Sequence, residues 1–180
     1  MNWFFEGYQA EYEETENGQK KRLVYRGEYY GFRGGPKEQK RVKTLCAVLT
    51  LLTVGLNLYD QFRPARGGMI HWMAIPSLLS LVPMMFMLIG LGNLLMAGEK
   101  WELRVLYAGY RRLWRWGLAY GSLMVLWLAM ELGFVIVNPG LLGEELLYCL
   151  ILAASLAAQA VQLILIRRHP AQVVRGPNIR

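Results

Sequence analysis

One acidic residue stands inside a long apolar run of this chain. Glu131 lies in the outer half of the stretch Gly117 to Val137, and an ionisable side chain at that depth in a membrane is costly enough to mark a functional site by default. Tyr120, Met124, Trp127 and Glu131 recur at spacings of four, three and four, so in a helix they line one face. A carboxylate beneath aromatic faces can hold an organic cation or relay a proton. The structural alternative is a protonated or hydrogen-bonded Glu131 that meets Asn57, Asn93, Ser155, Gln159 or Gln162 across a helix interface. Asn57, Tyr120, Trp127 and Glu131 thus form the candidate intramembrane polar or transport site.

A membrane-embedded glutamate with nearby aromatics resembles the arrangement in small multidrug-resistance transporters, which are also four-helix proteins. The resemblance implies proton-coupled export of cations. In that family, however, the glutamate sits in the first helix, the chain is shorter and no polar preface precedes the first span. Glu144 and Glu145 resemble the paired glutamates of membrane CAAX-type proteases, but no Arg follows three residues on and the metal-binding histidines have no counterpart. His71 and His169 are the two histidines of the chain, which is too few for a zinc site of ordinary composition. No GxSxG, HExxH or phosphate-cradling glycine loop is present. The expectation is a non-enzymatic protein with no cofactor. An intramembrane lipid-modifying enzyme would need a polar pocket built from Asn57, Asp60, His71 and Glu131.

Four apolar segments must position these residues: 44–62, 69–97, 117–137 and 146–166. A hydrocarbon core about 30 Å thick needs about 20 apolar residues in a helix, because lipid offers no partner to unpaired backbone groups. With 54% hydrophobic and 18% charged residues, polar and apolar blocks are segregated as a polytopic membrane protein requires. Of the twenty Lys and Arg residues, all but Arg63 and Arg66 fall in the segments before the first span, between the second and third, and after the fourth. This positive-inside pattern predicts an all-α membrane protein with four transmembrane helices and both termini cytoplasmic, and the short loops and signal-free amino terminus point to a bacterial cytoplasmic membrane. The first forty residues carry no apolar signal-like run, which agrees with a cytoplasmic amino terminus. The net charge of +7 is therefore matched to anionic lipid rather than to nucleic acid. Cys46 and Cys149 fall at opposite depths of their spans and read as small hydrophobes.

Within the second span, Pro76, Pro83 and Gly90 recur every seven residues, a stripe where a neighbouring helix can approach. Ala153, Ala154, Ser155, Ala157, Ala158 and Ala160 give the fourth span a small-residue surface suited to close packing.

Residues 1–33 have a different pattern, with aromatic and polar residues alternating around Asn17-Gly18, a dipeptide that favours a two-residue hairpin turn. A turn there pairs Glu14 with Lys21, Glu13 with Arg22, Tyr12 with Leu23 and Ala10 with Tyr25. Phe4, Tyr8, Tyr12, Leu23, Tyr25 and Tyr29 then share one face of a small amino-terminal β-hairpin. A lone hairpin is marginal in water, so this candidate interaction face needs a surface: the middle loop, a second copy of the chain, or another membrane or cytoplasmic protein. Residues 34–43 read as a basic linker, and 167–180 as a basic tail. The middle loop reads as an interfacial amphipathic helix over 99–115, with Arg104, Arg111, Arg112 and Arg115 as candidate lipid-headgroup contacts and Trp101, Trp114 and Trp116 as an aromatic belt. The sequence points first to a non-enzymatic subunit or accessory factor of a membrane complex, and in the alternative to a small proton-coupled transporter of cations or drug-like molecules using Glu131.

Overall fold

The computed structural model describes residues 7–15, 18–33, 35–62 and 71–174. Four helices long and apolar enough to cross a membrane dominate it, with a small amino-terminal strand pair beside them. Helix α1 spans Gly35–Gln61, α2 His71–Met96, α3 Leu103–Val137 and α4 Leu142–Arg168. The chain has the features of a multi-pass membrane protein. Helices α2 and α3 pack most intimately, followed by α1 with α4 and then α3 with α4.

Helix α1 begins nine residues before the expected span, so the stretch anticipated as a basic linker is helical instead. Pro36 suits a first helical turn and Glu38 complements the positive end of the helix dipole. What stabilises the extension is tertiary. Gln39 donates to the carbonyl of Gly98 at 2.9 Å, and the Lys43 ammonium donates to Ala97 and Gly98 carbonyls at 2.5 and 3.1 Å. These side chains, one turn apart on α1, satisfy carbonyls left over at the carboxyl end of α2.

The expected interfacial helix over 99–115 is likewise not a separate element. From Leu103 the chain runs unbroken into the third span, with a π-helical turn at Leu106–Arg111. Such a turn frees backbone groups that need other partners, and Asn93 of α2 supplies one by donating to the Ala108 carbonyl at 3.3 Å. The approach is close because two glycines face it. A Cβ on Gly109 would lie 3.1 Å from the Leu94 nitrogen, and one on Gly90 would lie 3.0 Å from the Leu113 nitrogen. Gly90 thus serves the close helix approach that the seven-residue stripe predicted.

Strands β1 (Tyr8–Thr15) and β2 (Gly18–Tyr25) form the antiparallel hairpin, but its register differs from the expected one by two residues. Tyr8 opposes Tyr25, Glu11 opposes Arg22, and Thr15 opposes Gly18. Residues 16 and 17 lie outside the described residues. A slip of two preserves every side chain's face, where a slip of one would have inverted them. The observed register replaces a Tyr8–Gly27 pairing with a Tyr8–Tyr25 aromatic pair, ring centroids 5.1 Å apart in edge geometry; cross-strand aromatic pairs contribute about 0.2–1 kcal/mol.

Sequence reasoning missed a second sheet. Strand β3 (Tyr29–Phe32) pairs antiparallel with β4 (Ala171–Val174) from the segment read as an irregular tail. On the other edge of β3, Tyr30 and Trp101 exchange two backbone hydrogen bonds of 2.7 Å. The segments before α1, between α2 and α3, and after α4 are thereby joined at one end of the bundle. Trp101, expected in an aromatic belt, is instead fully buried at the centre of this cap, with the Phe32 ring 4.6 Å away in edge contact.

Candidate functional site: a buried polar column

The bundle interior is unusually polar along one seam. The buried positions of α1 include Thr50, Thr53, Asn57 and Asp60, and those of α4 include Glu145, Ser155, Gln159 and Gln162. The α1 set repeats every three or four residues, and the α4 set does so when the intervening buried Tyr148 and Leu152 are included, so each lies along one helix face, and the two helices pack together.

Asn57 is the hub of the seam. Its amide donates to the Tyr120 hydroxyl at 3.0 Å and to Ser80 at 3.3 Å, with the Met124 sulfur at 3.6 Å, and its carbonyl accepts from Gln61 at 2.7 Å. The Tyr120 hydroxyl lies 3.2 Å from that of Ser155, which in turn donates to the Thr53 carbonyl at 3.4 Å. All four helices contribute. Toward the capped end, the Gln159 amide donates to the Gly117 carbonyl at 3.1 Å.

The acids occupy the other end of the seam. Glu131 is completely buried on the same face of α3 as Tyr120, Met124 and Trp127, as the spacing predicts. Neither of its carboxylate oxygens has a hydrogen-bond partner among the described residues. It is not the isolated charge that the sequence implied. Asp60 of α1 and Glu145 of α4 are equally buried, whereas the adjacent Glu144 is exposed. Glu131 and Glu145 act on each other electrostatically, and all three acids act on Tyr148 and Cys149. The Trp127 and Tyr148 rings lie 6.0 Å apart in edge contact. The three carboxylates therefore converge from three helices on a wall of two aromatic residues.

The four residues of the candidate transport site are all buried, but they divide between two parts of the seam. Asn57 and Tyr120 belong to the hydrogen-bonded hub, Trp127 and Glu131 to the acidic end. Asp60, named only for a lipid-modifying pocket, and Glu145, compared only with the protease glutamates, were left out of the transport site, although a signal existed: Asp60 is three residues beyond Asn57 and Glu145 three before Tyr148, each in phase with the buried face of its helix. The side chain of His71, expected with Asn57, Asp60 and Glu131 in the pocket of a lipid-modifying enzyme, lies outside the described residues. Among the described residues no three His, Cys, Asp or Glu side chains are placed to hold a metal ion.

The candidate hairpin face splits as well. Tyr25 is buried, its hydroxyl accepting from the Leu103 amide at 3.1 Å and donating to the Glu28 carbonyl at 2.8 Å. Tyr8 donates to the Glu102 carboxylate, and Tyr29 packs edge-on against Tyr25 at 5.3 Å. Burial, then the hydrogen bond to that carboxylate, pushes the Tyr8 phenol up to about 12. The base of the hairpin thus rests on its own chain, while Tyr12 and Leu23 nearer the turn remain 64% and 53% exposed. Phe4 lies outside the described residues. Of the candidate headgroup contacts, Arg104, Arg111 and Arg115 are exposed and Arg112 half-buried, with the Arg111 guanidinium 4.4 Å over the Tyr107 ring.

Comparison with protein families, curated proteins and solved structures finds no match for this chain.

Proposed function

We propose that this is a proton-coupled membrane transporter of small cationic solutes, with Asp60, Glu131 and Glu145 as its coupling acids. The observation that supports this reading is the burial of three carboxylates from three helices beside Trp127 and Tyr148. A packing role is met by neutral groups such as the Asn57 amide, whereas buried acids in a membrane are costly and mark ion or proton pathways. Glu131 and Glu145 repel, so a proton or cation taken up by one relieves the other. The aromatic faces favour an organic cation as the solute. In this reading both termini and the strand cap lie in the cytoplasm of a bacterial cell, an orientation that rests on the one-sided basic residues.

The test is uptake of a lipophilic dye cation into proteoliposomes under an imposed pH gradient. Glu131→Gln should abolish gradient-driven uptake while leaving the protein folded. Uptake that survives the substitution would remove Glu131 from the mechanism.

A second reading, an accessory subunit of a membrane complex, is favoured by the exposed Tyr12 and Leu23 of the hairpin and by Ala153, Ala154, Ala157 and Ala160, which face outward on α4. Another membrane or cytoplasmic protein, or a second copy of the chain, would cover those surfaces. Pull-down of intact protein against a variant lacking residues 1–33 tests it, and identical partner sets would exclude the hairpin.

A further inference from the structure

The cap end carries a second polar feature, unconnected to the buried acids. Between the first turns of α1 and the end of α2 lies a cleft of about 490 Å³ lined by Lys37, Lys40, Lys43, Thr44, Leu95 and one acid, Glu99. A neighbouring hollow of about 380 Å³ shares Lys37, Lys40 and Thr44 and adds Arg41 and Leu45. Lys43 is committed to the carbonyls of α2. Lys37, Lys40 and Arg41 are exposed and form no ion pair among the described residues.

Lys37, Lys40, Arg41 and Thr44 follow i, i+3, i+4, i+7 spacing and so form one stripe. That stripe starts at the amino end of α1, where unpaired amides and the helix dipole favour an anion. It continues without a break into apolar surface: Leu45, Val48 and Leu52 are 40%, 55% and 49% exposed, and Leu95 across the cleft is 45% exposed. A basic pocket that opens onto an outward apolar flank matches a molecule with a charged head and apolar tails. A soluble anion would use the first part and leave the second without a role.

We infer that this cleft binds an anionic phospholipid, its phosphate against Lys37, Lys40 and Arg41 and its acyl chains along Leu45, Val48 and Leu52. The site differs from the general basic surface in having a shaped volume, and it is independent of the transport reading above.

The full chain, purified in mild detergent and exposed to phosphatidylglycerol or phosphatidylcholine, tests this by native mass spectrometry. The unaltered protein should retain phosphatidylglycerol selectively, and the K37Q/K40Q/R41Q variant should bind it about tenfold more weakly. K21Q/R167Q/R168Q, which removes equal charge from exposed positions outside the cleft, should retain it. Thr44→Trp fills the cleft with every charge kept and should also weaken retention, which separates a site from a charge effect and replaces the triple variant if that fails to fold. Equal retention by Thr44→Trp and the unaltered protein would overturn the inference. Displacement of the lipid by inorganic phosphate would assign the cleft to a soluble anion and overturn it equally.

Discussion

Asn57 of α1 and Tyr120 of α3 are joined by a 3.0 Å hydrogen bond at the centre of the bundle, where both residues are fully buried. The bond ties two helices that are otherwise held mainly by their neighbours, since α1 packs chiefly on α4 and α3 on α2. It also sits between the acidic end of the polar seam and its glutamine end. Buried polar groups in a membrane bundle need such partners because lipid offers none.

Removing that bond should have a measurable but modest effect. A double-mutant cycle of Asn57→Leu and Tyr120→Phe, followed by thermal unfolding in detergent, should give a coupling of about 0.6 kcal/mol and no more than about 1.7 kcal/mol. Additive effects would show that the amide and the hydroxyl do not bond.

The acids should behave oppositely. Glu131 and Glu145 repel each other in an apolar surrounding, so Glu131→Gln should stabilise the fold while impairing function, as happens where activity depends on unfavourable local energy. A gain of about 1 kcal/mol raises Tm by roughly 2–4 °C in a chain of this size. A lower Tm would mean that the carboxylate is a structural partner.

Backbone contact between α2 and α3 predicts which glycines matter. Gly90→Leu forces its side chain against the Leu113 nitrogen and should prevent folding or separate the two helices. Gly55→Ala is the control: a Cβ there meets nothing within 4 Å, and alanine is favoured over glycine in a helix by about 0.5–1 kcal/mol. Yield and Tm of the two variants should therefore move in opposite directions.

The Tyr8–Glu102 contact predicts an alkaline transition of the cap. Tyr8 titrates in the folded protein near 12, against an ordinary value near 10. The folded state thus prefers the protonated phenol. Its stabilisation is fully present below pH 10 and is lost as pH rises through about 12. The Tm should fall between pH 10 and 12 more steeply in the unaltered protein than in Tyr8→Phe, with Tyr25, also pushed up by burial, contributing the remaining dependence. A Tyr8 phenolate that forms with the ordinary tyrosines would mean that the contact is not made in solution.

The sequence alone determined four spans, the one-sided distribution of basic residues and the faces of individual elements. The reason is that these are local, periodic properties. Tyr120, Met124, Trp127 and Glu131 share a face because a helix repeats every 3.6 residues, and the hairpin face survives a register change of two because a strand repeats every two. Partnership is not local. That Trp101 is a core residue rather than an interfacial one follows from Tyr30 and Phe32, far earlier in the chain, closing over it. That residues 35–43 are helical follows from Gln39 and Lys43 finding carbonyls on another helix, and that the tail forms a strand follows from β3 offering an edge. Glu145 reads as a loop acid until α4 folds against α1 and α3. Only that packing brings it within electrostatic reach of Glu131, and sets both acids, with Asp60, around Tyr148 and Cys149.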